Sequence, residues 1–135
     1  MVVPWKFKPI EKFVFAYDGS PASIYAIKQF SYLFPVIQNT DVEILMVTDD
    51  KHSNHFPHQH LLKELLKQKY QTVLQAVIKS IDVENSIIDH VSKESKNCML
   101  ILGAYQRSAF SRWLYQSVAD ALISELDAPI FVAHK

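Results

Sequence analysis

The sequence predicts an open α/β sheet of five parallel strands, doubly wound in the order 3-2-1-4-5. Three observations predict it. Apolar runs at residues 13–17, 44–47 and 98–102 are unbroken, as in strands that helices cover on both faces. Strand and helix signals alternate along the chain, and right-handed crossovers turn such an alternation into one parallel sheet. Ordinary usage would place roughly nine glycines in a chain of this length, whereas this one has two, Gly19 and Gly103, each following an apolar run, the first directly before a helix and the second before a polar loop that leads to one. Glycine goes where the backbone needs positive φ or where another group must approach closely. The strand order places strands 1 and 4 side by side at the topological switch point, and these strands lead into Asp18-Gly19 and Gly103.

At 135 residues the chain reads as a single domain, 1–135, with residues 1–12 as a lead-in whose Trp5 and Phe7 pack on the domain surface or against a partner. Residues 13–17 form the first strand. Ser20 suits an N-cap and Pro21 a first helical position; Ile24, Ile27, Phe30 and Phe34 then recur at helical spacing until Pro35 ends the helix. DVEILMVTDD carries the second strand, buried over 44–47. A polar loop over 49–58 leads to a short amphipathic helix with leucines at 61, 62, 65 and 66, a stripe read as core and not as a partner face. Residues 70–78 alternate with a period of two, with Gln71, Gln75 and Lys79 on one face, which predicts an edge strand. Asp82 or Ser80 caps the next helix, whose stripe is Val83, Ile87, Ile88 and Val91. Residues 98–102 form the fourth strand, which stops at Gly103. Ser117 with Asp120 makes a capping box for a helix with Val118, Ala121, Leu122 and Leu126 inward, and IFVAH is the last strand.

Composition narrows the function. Fourteen basic and fourteen acidic residues cancel, so no broad attraction to nucleic acid or to an anionic membrane is expected. The single cysteine, Cys98, lies inside an apolar run and reads as a buried thiol in a reducing compartment. No leader-like apolar core and no membrane-length apolar stretch occurs, so a cytoplasmic location is expected. His52, His55, His58 and His60 crowd one segment, yet Pro57 interrupts helical pairing and no cysteine or acidic spacing completes a metal pattern; a solvated loop holding no specific metal is expected. Signatures of serine hydrolases and of Walker-type phosphate loops are absent, and no acid/base pair or metal constellation is visible, so the chain is not expected to be an enzyme.

The strand ending in DGS, the strand ending in VTDD, and the strand ending in glycine before a Ser- and Arg-containing loop and S-V-A-D together resemble the universal stress protein family. The resemblance extends from about residue 13 to residue 134. It implies a Rossmann-like fold of the adenine nucleotide alpha hydrolase-like type, a homodimer through the C-terminal strand, and a regulatory role in stress with an unknown protein partner. In nucleotide-binding members the fourth strand leads into G-x-x-G, nine residues, then G-S or G-T, a loop that wraps the phosphates of ATP. This chain keeps the frame, with Gly103, position 106, position 116 and Ser117, but Gln106 and Gln116 stand at two glycine positions and Ala109 where a further glycine is common.

Glycine in such a loop lets backbone N–H groups face the anion at close range. Glutamine costs about 1–2 kcal/mol if φ is positive, and its side chain fills phosphate volume. The usual triphosphate mode is therefore not expected, and no cofactor is assigned. The resemblance leaves a vestigial nucleotide site of Asp18, Gly19, Val47, Gly103, Gln106, Gln116, Ser117 and Val118, with Arg107 and Arg112 as cationic contacts for an anion. Asp18 is equally an ordinary turn former, and Ser117 is more simply a helix cap. Two functions follow. One is a dimeric regulatory module working without ATP; the other is an adenine-nucleotide-binding switch that uses a modified loop.

Overall fold

Five strands lie side by side, all parallel, in the order β3-β2-β1-β4-β5: β1 (Lys12–Ala16), β2 (Asp41–Thr48), β3 (Val73–Lys79), β4 (Cys98–Ala104) and β5 (Ile130–His134). The computed structural model describes residues 10–17, 21–34, 41–48, 59–68, 70, 72–94, 97–104 and 129–134. Within these residues the predicted strand order and direction are as found. The predicted fourth helix and its cap, Ser117, lie outside them.

Side-chain alternation splits each strand between two cores. Phe13, Phe15, Val42, Ile44, Met46, Met99, Ile101 and Phe131 face α1 (Pro21–Leu33) and α2 (Gln59–Lys67), whereas Val14, Ala16, Leu45, Leu100, Leu102 and Ile130 face α3 (Val83–Ser92). The unbroken apolar runs are thus explained, because both faces of the central strands are covered. Phe30 of α1 is the centre of the first core. Its ring lies 4.8 Å from Phe13, 5.5 Å from Phe15, 4.9 Å from Phe34 and 5.3 Å from Phe131, three of these edge-on. Edge-to-face rings add attraction beyond area burial. One helix is thereby pinned to β1 and β5 together, across β4.

Helix ends follow local chemistry. α1 begins at Pro21 and stops at Leu33, two residues before Pro35, as expected for the restricted residue before a proline. For α3 the structure decides between the two predicted caps: Asp82 is the N-cap, its Oδ1 accepting from Asn85 N at 3.2 Å, while Ser80 Oγ accepts from Asp82 N at 3.0 Å and so supports the cap.

Three expectations need correction. Tyr70 is not on the edge strand; its N donates to Leu66 O at 2.9 Å, continuing the turn of α2, and its ring packs on Phe15. In α2 only Leu62 and Leu66 are buried, and Leu61 is 66% exposed, because adjacent helical positions lie about 100° apart and a helix near the sheet edge buries a narrow arc. Finally, β4 does not stop before Gly103 but runs through it to Ala104, since Gly103 and Ala104 pair with Ala133 and His134.

Phe30→Ala is expected to lower unfolding stability by about 3–5 kcal/mol, the usual cost of deleting a fully buried ring. Urea unfolding followed by circular dichroism measures it. A loss under about 1 kcal/mol would contradict the central role given to this ring.

Candidate functional site

The β1–β4 ladder ends at Phe15↔Ile101. Yet β1 stays joined to β2 through Ala16↔Leu45 and the Tyr17 N to Leu45 O bond of 2.9 Å, while β4 stays joined to β5 through Ala104↔His134. The two central strands therefore part at their carboxyl ends, each held by its outer neighbour. A crevice at this point is where open α/β sheets bind ligands. Of the predicted site residues, Gly103 is buried on the β4 wall, and Val47 is half-buried near the end of β2 on the α3 face. Asp18, Gly19, Gln106, Gln116, Ser117 and Val118 lie outside the described residues, as do Ala109, Arg107 and Arg112.

On the opposite face, Tyr17 is buried at the floor of a cavity of about 390 Å³ between α1 and α2, lined also by Ile24, Leu62 and Leu65, with Lys28 and Glu64 exposed at its mouth. This cavity does not include Val47. The sequence singled out Asp18, the next residue along the chain, but not Tyr17.

At the other end of the sheet lies a group that the sequence reading passed over. Lys12, the first residue of β1, is 5% exposed, and its Nζ lies 3.0 Å from Glu43 Oε2 and 3.0 Å from Glu94 Oε1. His90 Nε2 donates to the other oxygen of Glu43, Oε1. One atom each from Glu43, His90 and Glu94 lie within 4.8 Å of one another, a donor set of metal-ligand type, contrary to the expectation that no such constellation exists. Here the Lys12 ammonium bonds both carboxylates, so the chain itself supplies the positive charge. The available signal was a charge inside an apolar run, Glu43 in DVEILMV and Lys12 directly before FVFA. The predicted buried spans began one residue too late in β1 and two too late in β2.

Burial is the largest single influence on Lys12 and disfavours its charge. The hydrogen bonds and attraction of Glu43 and Glu94 together outweigh it and raise the ammonium above its ordinary 10.5. Beside this group Cys98 is pushed up to about 11, first by burial and then by the Glu94 carboxylate, so at neutral pH it stays a thiol and not a nucleophile. His60 is exposed on α2, and the remaining histidines of the predicted loop lie outside the described residues. Among the described residues no helix is long and apolar enough to cross a membrane.

A five-stranded parallel sheet in this order, parting between its two central strands, defines a doubly wound, Rossmann-like α/β protein. A model of the universal stress protein family matches residues 9–134, and the chain belongs to that family. Solved structures of similar fold include the hypothetical protein MJ0577, with a TM-score of 0.65 and 18% identity over 93% of this chain and 96% of that one. A universal stress protein in complex with cAMP is similar with a TM-score of 0.59 and 13% identity over 94% and 98%. UspA from Lactobacillus plantarum follows with 0.58 and 15% over 93% and 99%. A sequence search of curated proteins gives no match.

Lys12→Met is expected to cost about 3–5 kcal/mol, since it leaves the buried Glu43 without its cation. The wild type should lose stability as pH rises above about 10.5 and through the higher folded value of Lys12, because the folded state holds that proton more tightly. Thermal unfolding between neutral and strongly alkaline pH should show this slope in the wild type and a weaker one in the variant. Lys12→Met combined with Glu43→Met should recover much of the loss; no recovery would argue against the pairing.

Proposed function

We propose that this universal stress protein is a non-catalytic, cytoplasmic regulatory module that works as a homodimer on a protein partner and does not bind ATP in the usual way. The observation that carries the reading is the pair Gln106 and Gln116 at the glycine positions of the phosphate loop, with Ala109 at a third small position. Backbone donors that cradle a triphosphate need close approach, and a glutamine side chain takes up that volume. Each lost charge-assisted hydrogen bond is worth about 1.5–3 kcal/mol, or tenfold or more in affinity.

Dimerisation through β5 is supported by its position as the outermost strand and by its apolar sequence, IFVA, since exposed apolar edges tend to pair. A second reading, an adenine-nucleotide-binding switch with a modified loop, is favoured by what is kept: Asp18, Val47, Gly103 and Ser117 in frame, and the parting of β1 from β4. One relative of the same fold is a complex with cAMP, which makes an adenosine-type ligand the one to test first.

Calorimetry with ATP should show no binding at micromolar concentrations, and tight binding by the wild type would defeat the steric reading. The double variant Gln106→Gly, Gln116→Gly should gain measurable affinity, and adding Asp18→Ala should remove it. Light scattering at micromolar protein should give twice the 15.6 kDa chain mass; the single-chain mass would count against the β5 dimer.

A further inference from the structure

The opposite edge of the sheet carries a different chemistry. Thr72 O accepts from Val42 N at 3.4 Å, and Ser80 N donates to Thr48 O at 2.8 Å, so the even-numbered positions of this strand turn their peptide groups toward β2. Strand alternation then turns the peptide groups of Val73, Gln75 and Val77 outward. No described strand pairs with that side of β3. Beside it, Lys63 and Lys67 of α2 join Thr72, Val73 and Gln75 in lining a groove of about 390 Å³. Both lysines are exposed, and neither forms an ion pair with a described residue.

We propose that this groove receives an acidic protein segment in extended form, which adds as a strand to the outer edge of β3 and lays acidic side chains against Lys63 and Lys67. The spacing agrees. Residues four apart on a helix rise about 6 Å, and alternate residues of a strand, which share one face, advance about 6.6 Å. A segment with acids at every second position can therefore meet both lysines while its backbone pairs with Val73, Gln75 and Val77. Charge also rules on the occupant. Two copies of this edge would bring like charges together, so the lysines guard β3 against self-pairing while attracting an acidic strand and repelling a basic one. The inference takes up the protein-partner part of the function proposed above and is independent of the nucleotide crevice and of the β5 dimer, which calorimetry and light scattering read separately.

The test uses the full chain and a fluorescein-labelled peptide of alternating Glu and Val, followed by fluorescence anisotropy at low and high salt. The expected result is saturable binding that weakens with salt. An alternating Lys and Val peptide should not bind, and nor should the acidic peptide N-methylated at alternate residues so that it cannot pair as a strand. Lys63→Glu with Lys67→Glu, both at exposed positions and checked for folding by circular dichroism, should weaken binding by about tenfold or more. The proposal is overturned if the acidic peptide fails to bind at millimolar concentration. Equal binding of the N-methylated peptide, or indifference to the double reversal, overturns it as well, because binding would then need neither the strand edge nor these lysines.

Discussion

The packing of Phe30 on rings from two strands is the contact on which the arrangement depends. A parallel sheet has no hairpins to set its register, so its strands are held by whatever crosses them. Here α1 crosses them, and Phe30 touches Phe13 and Phe15 on one side and Phe131 on the other. That bridge passes over β4 at Ile101, the last residue of β4 in register with β1. The aromatic contacts thus brace the sheet at the level where the two strands begin to part.

The buried charge group does similar work at the other end and by other physics. Lys12, Glu43, His90 and Glu94 tie β1, β2 and the end of α3 together. Removing ions from water is costly, and such a group is worth retaining only if every member is paired. Its gain lies in specificity: a register shift of β1 against β2 would strand Lys12 in an apolar core. The Lys12 ammonium supplies positive charge to both carboxylates of this donor set.

The two edges of the sheet then differ in kind. β5 is short and apolar, and its inward side chains complete both cores. β3 is half-exposed along its length and lies beside two lysines. An apolar edge is suited to a like edge, and a basic edge to an acidic one.

Much of the fold was legible in the sequence, for a physical reason. Periodicity reports burial directly, and the unbroken runs around Phe15, Ile44 and Ile101 announced strands covered on both faces. Helix stops at Pro35 and the cap near Asp82 were equally local. Of the candidate site, residue types and spacing were readable, including the glutamines at 106 and 116, because a motif frame is a property of sequence. What only the tertiary structure decided were pairings between residues distant along the chain. Nothing local says that Lys12 meets Glu43 and Glu94, that Leu61 is exposed while Leu62 is buried, or that β4 continues through Gly103, because each outcome is set by a neighbour that folding brings alongside: a carboxylate, an open sheet margin, and the ladder offered by β5.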